Sequence, residues 1–214
     1  MTDEEFDAAL VAAAFAVGAD KGWRNVSTAT AAREAGLDLV RARTRLPGHG
    51  AILKKFAILA DAYALTGALT EGSVKDRLFD IMLRRFDFLQ LHRAGVVALL
   101  RVLPLNAPLA VWLGNETLRS MGWILEGAGV SASGLTGAVQ KRGLAVVWGW
   151  GLRAWLKDES EDLSATMAAV DVALVRADQI ASAFLRDGFT PEAAPDTGPT
   201  AEPELPLETP EQPL

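Results

Sequence analysis

VSTATAAREAGLDLVRARTRLPGHGAIL, residues Val26 to Leu53, carries the pattern that decides the fold. Ser27 starts a helix running through Ala35, because a serine oxygen accepts a free N–H of the first turn. Gly36 ends it, since glycine takes the left-handed conformation at no steric cost. Asp38 starts a second helix, Leu39 to about Leu46, and its charge suits a helix N-terminus. Pro47 cannot continue that helix without losing a hydrogen bond. Two short helices about an Ala-Gly-Leu-Asp turn form a candidate helix-turn-helix, whose second helix would lie in a DNA major groove. That second helix carries Arg41, Arg43 and Arg45, with no acidic residue after its cap.

Arg41 and Arg45 are four apart and share a helix face, while Arg43 points elsewhere. One or two of the three are therefore expected at base edges or flanking phosphates, where arginine pairs guanine through two hydrogen bonds. Ser27, Thr28, Thr44 and His49 complete the candidate DNA contacts. The competing interpretation is a solvated basic helix on a vestigial helix-turn-helix. Charge supports the DNA interpretation locally. The chain has a net charge of −6, yet residues 188–214 hold six acidic groups and no Lys or Arg. The other 187 residues are neutral overall, and Lys21 to Ala60 carries eight basic groups against Glu34 and Asp38. A positive patch on a neutral body is what phosphate binding requires.

The run from Gly22 to Leu53 resembles the N-terminal domain of TetR-family transcriptional regulators. It keeps Gly22, Ser27, Ala35, Gly36, Leu37 and Pro47 of the family pattern, with Leu46 where Phe is usual. It departs at Arg43, where the family usually has Tyr, and at His49, where it usually has Lys; both family residues commonly touch the DNA backbone. A second resemblance spans Leu103 to Pro108, Lys141 to Ala145, Trp155 to Asp158 and Ser160 to Asp162. These runs look like the Coq-nine-type ubiquinone-biosynthesis accessory family, which has a TetR-like fold and binds isoprenoid lipids. The aromatic residues that usually precede its Lys-Arg pair are replaced by Ala138 and Val139.

Outside the helix-turn-helix the pattern is helical throughout, so the expected fold is all-α. Thr2 with Glu5 fits a capping box for a first helix to about Asp20. A fourth helix is expected from about His49 to Leu69. Ser73 caps a fifth, and a short sixth ends at Pro104. Pro108 suits the first turn of a seventh, Ser133 caps an eighth from Gly134, and a ninth runs from about Glu161 to Asp187. The expected domains are 1–48 for DNA binding, 49–187 for ligand binding and dimerisation, and 188–214 as a disordered tail rich in Pro and Glu.

Apolar stripes on these helices suggest two further sites. Phe86, Leu89, Leu100, Leu103, Trp112, Met121, Trp123, Leu144 and Trp148 are candidates to line a pocket for a small apolar or isoprenoid ligand. His92, Asn115 and Gln140 are its possible polar handles. Gly149 and Gly151 weaken the eighth helix by about 1 kcal/mol each relative to alanine, which close approach of another helix would offset. They join Trp155, Met167, Val170 and Leu174 as a candidate homodimer interface. Plain single-subunit core is the alternative for both sets.

Catalytic motifs are absent: no HExxH, phosphate loop or Gly-x-Ser-x-Gly elbow occurs, and the two histidines, His49 and His92, are far apart in the sequence. No enzyme activity, cofactor or metal is expected; Asp158, Glu159, Glu161 and Asp162 read as ordinary helix-end charges. There is no cysteine, which suits a reducing cytoplasm. The N-terminus is unlike a signal peptide, and the longest apolar run is too short for a transmembrane segment. The function expected is a dimeric, TetR-like repressor that binds an operator in double-stranded DNA and is released by an apolar ligand. The alternative is a Coq-nine-type lipid-binding accessory protein without DNA binding.

Overall fold

The Thr2 side chain accepts from the Glu5 amide and the Glu5 carboxylate accepts from the Thr2 amide, so the chain enters its first helix through a closed capping box. Ser27, Asp38, Ser73 and Asn106 likewise cap four later helices through their side chains. The computed structural model describes residues 1–187, with side chains to Ile180; the expectation for the tail lies outside the described residues. The described residues form nine α-helices and no strand, so the fold is all-α. They are α1 (Asp3–Lys21), α2 (Thr28–Glu34), α3 (Leu39–Arg45), α4 (His49–Leu65), α5 (Val74–Leu91), α6 (Arg93–Val102), α7 (Ala107–Gly127), α8 (Gly134–Trp155) and α9 (Ser164–Asp187).

Two expected boundaries move, and one expected cap is not made. α4 stops at Leu65, four residues early, because Gly67 takes a left-handed φ of 68° and the Leu69 amide turns to Asp80. Ser133 makes no capping bond to α8; the neighbouring Ala132 amide is held by Glu126 instead. α9 begins at Ser164, three residues late, because Asp158 folds the preceding loop onto itself. One Asp158 oxygen accepts from both the amide and the hydroxyl of Thr166 at 2.7 Å, and the other accepts from Ser160. Burial pushes the Asp158 carboxyl up, but these bonds prevail and hold it well below the usual carboxylate range.

The core runs without a break across the boundary expected at residue 48. Phe15 of α1 meets Trp23 edge-on at 4.9 Å and stacks on Phe56 of α4 at 3.9 Å. The Trp23 indole donates to the Gly95 carbonyl of α6 at 2.9 Å. α1 and α6 touch so closely that a Cβ on Gly95 would stand 2.5 Å from the Phe15 carbonyl oxygen. Met1 to Gln179 therefore form one compact unit. No single helix among the described residues is long and apolar enough to cross a membrane.

Candidate functional site

The helix-turn-helix assembles as its caps dictate. Ser27 accepts from the Thr30 amide, Asp38 accepts from the Arg41 amide, and Gly36 between them has a φ of 61°. The arginines of α3, however, do not all face outward. Arg41 donates to the Thr2 carbonyl at 3.1 Å and to Asp3 at 2.5 Å, with its guanidinium 4.3 Å above the Phe6 ring. Arg45 grips both oxygens of Asp7, at 2.5 and 2.8 Å, and also pairs with Asp3. Lys55 of α4 closes the cluster on Asp7 at 2.9 Å, leaving that carboxylate 3% exposed. The bonds from Arg45, against the effect of burial, hold the Asp7 carboxyl below its ordinary range. Arg41 and Arg45 do share a face, but it is the face turned onto α1, so both leave the set of DNA candidates.

Arg43 is exposed and has no ion-pair partner among the described residues. Beside it on the outward face are Thr44, Leu39 and Val40, the last 75% exposed. Leu39 and Val40 were missed from sequence. A signal existed: two apolar residues at the start of a helix whose buried face is supplied by Ala42. Two further candidates turn inward. Thr28 is buried and donates to the Leu46 carbonyl, pinning α2 to the end of α3. His49 stacks on Trp23 with ring centroids 5.3 Å apart, its Nε2 is buried without a partner, and burial lowers its pKa. Ser27 is exposed but occupied as a cap.

The pocket candidates are mostly core. Phe86, Leu89, Met121, Leu144 and Trp148 are buried, and Phe86 stacks on Trp148 at 4.4 Å. Leu100, Leu103 and Trp112 are half-buried, while Trp123, 62% exposed, points away from the stripe. Side chains of facing stripes fill the space between helices, which is why these residues enclose one another. Shallow, open depressions lie elsewhere, on the outer face of α8 and beside Lys21 and Arg33. Of the proposed handles, His92 sits among Phe15, Phe56 and Phe88, and Asn115 is exposed.

The interior instead contains a charge that sequence reasoning passed over. Arg85 of α5 is buried; its Nη1 lies against Asp61 of α4 and its Nη2 donates to the Ser120 hydroxyl of α7 at 3.2 Å. Ser120 in turn donates to Asp61 at 2.8 Å. The guanidinium stands 5.1 Å from the Trp148 ring, and its Nε has no acceptor. Burial lowers the Arg85 pKa to about 10. Its position was the available signal, since Arg85 falls at helical spacing between Ile81, Met82 and Leu89 of the buried stripe.

The interface candidates divide. Trp155, Val170 and Leu174 are buried within the subunit and Met167 is half-buried. A Cβ on Gly151 would stand 2.8 Å from Val170 and 2.9 Å from the Phe86 ring, so the close approach inferred for this glycine occurs inside one chain. Gly149 alone opens outward, with nothing within 4 Å of a Cβ placed there. It lies on an exposed stripe of Leu135, Val139, Val146 and Trp150, which share one face of α8 with Arg142 and Arg153. This stripe is the uncovered apolar face, a quarter-turn or more from the one expected.

Compared with known proteins, the fold has a counterpart. A crystal structure of a proposed TetR-family transcriptional regulator from Rhodococcus sp. superposes with a TM-score of 0.53, over 79% of this chain and 99% of that one. The fold is TetR-like. At 19% identity the likeness is one of fold alone. No family model matches this TetR-like chain and no curated protein matches it. The second resemblance, over residues 103–162, finds no support in these comparisons.

Proposed function

We propose that this TetR-like chain is a dimeric DNA-binding regulator, a repressor whose operator affinity is lowered by a small apolar ligand. The observation that carries the reading is the outward face of α3. Leu39 and Val40 stand uncovered beside an exposed Thr44 and an Arg43 without an ion-pair partner among the described residues, on a helix started by the Asp38 cap. Apolar side chains touch thymine methyls and arginine pairs guanine, so this face reads a mixed step. Two heads are needed for a near-palindromic operator, and the exposed α8 stripe supports self-association as their source.

A gel shift on the DNA upstream of the chain's own coding sequence tests this. Retarded DNA that is lost in Arg43→Ala and in Val40→Asp supports the regulator. A second reading is favoured by one observation: Arg41 and Arg45 spend their charge on α1, leaving α3 a single free arginine. That suits a ligand-binding protein on a retained helix-turn-helix scaffold that no longer binds DNA. Co-purified isoprenoid lipid with no DNA shift would move the assignment there.

A further inference from the structure

A buried arginine is seldom left with a donor idle. Arg85 has five N–H donors in a fixed fork, and charge buried without full compensation is costly. Asp61 faces Nη1, and the neutral Ser120 hydroxyl takes one hydrogen of Nη2. Nε, on the same edge of the guanidinium as Nη2, has no acceptor. That edge has the geometry that matches a carboxylate through two parallel bonds, yet it meets only one hydroxyl.

The surroundings define what such a carboxylate would be attached to. The Trp148 ring faces the guanidinium, Phe86 stacks on Trp148, and Met121, buried, follows Ser120 in α7. Asp61 keeps part of its side chain, 14%, in contact with solvent, which marks the side from which the cluster is reached. Its three members come from α4, α5 and α7, and α4 begins at His49, directly after the helix-turn-helix.

We propose that Arg85 is the receptor for the anionic end of an apolar monocarboxylate, bound at the Nε/Nη2 edge in place of Ser120. The inference rests on the ligand-binding half of the reading above and is independent of DNA binding. Losing Ser120 removes the hydroxyl link between Arg85 and Asp61 and leaves only their direct Nη1 contact, which a second carboxylate on the same guanidinium then weakens by competing for its charge and repelling Asp61. Ligand therefore loosens α4 from α5 and α7.

Octanoate and octanol are the probes, read by intrinsic tryptophan fluorescence and thermal shift on the full chain. Wild type should bind octanoate at least tenfold more tightly than octanol. Asp61→Asn, which removes the competing charge, should tighten octanoate several-fold and leave octanol unchanged. Arg85→Met should abolish the preference. Equal binding of the two probes by wild type, or no binding of octanoate, overturns the proposal without any variant having to fold. A weaker octanoate affinity in Asp61→Asn overturns the competition with α4. Octanoate binding by a chain that shifts no DNA would leave this site standing while the regulator reading falls.

Discussion

Single residues of α3 should separate two roles that their sequence spacing merges. Arg43→Ala should leave the melting temperature unchanged, because that side chain is exposed and makes no ion pair among the described residues, while weakening specific DNA binding by about 1–3 kcal/mol if the lost contact reads a base. Arg45→Ala should do the reverse, lowering the melting temperature as Asp7 keeps only Lys55, with little direct effect on base reading. Parallel gel shifts and thermal melts decide it. The error about Arg41 and Arg45 has a physical origin. Their common face was legible, but their partners Asp3 and Asp7 lie on α1, outside the window in which local charge was counted. His49 gives a second residue-scale test. Burial makes it harder to protonate in the folded chain than in the unfolded one. As pH falls below about 6.5, the ordinary histidine value, the unfolded chain takes the proton first and stability is lost. His92 is depressed in the same way. The fall in melting temperature between pH 7.5 and 5 should therefore be shallower in His49→Phe. An unaltered slope would show that His49 does not contribute.

At the scale of the element, α8 sets two glycines two residues apart with opposite consequences. Gly151→Ala forces a methyl into Val170 and Phe86, and overpacking of this kind costs about 1–3 kcal/mol without altering the oligomer. Gly149→Leu meets only open space within the chain. Any change it brings to sedimentation must then come from a second copy, while its helical circular dichroism should be kept. Helix starts were readable wherever a side chain forms the cap, as at Thr2, Ser27, Asp38 and Ser73. The start of α9 slipped, because its loop is held by Asp158 through Thr166, and at α8 the start was readable but the Ser133 cap bond was not made, since Glu126 holds the Ala132 amide instead. The faces of α8 were harder. Its period shows that Trp148 and Trp155 lie together, but periodicity alone does not say which of two apolar faces meets the neighbouring helix. Val146 and Trp150, 57% exposed, are as apolar as the buried pair.

For the whole molecule, the uncovered α8 stripe predicts association. Sedimentation at tens of micromolar should find a dimer, and Trp150→Glu should shift it to monomer. A monomeric wild type would remove the paired heads on which operator binding depends. The all-α architecture was legible because nearly every segment carries helical spacing between recognisable stops. The central Arg85–Asp61–Ser120 cluster was not, because its members come from helices far apart in sequence. One further feature bears on how the molecule was put together. Trp23 passes its indole hydrogen to Gly95, and α1 lies backbone-close against α6 at that point. The helix-turn-helix is thus no detachable cassette. Cut free after residue 48, or grafted onto an unrelated body, it would carry an exposed Phe15 and an indole stripped of its acceptor, and it should not fold. Exchange of heads between relatives, whether by recombination or by a protein engineer, succeeds only if α6 travels with them.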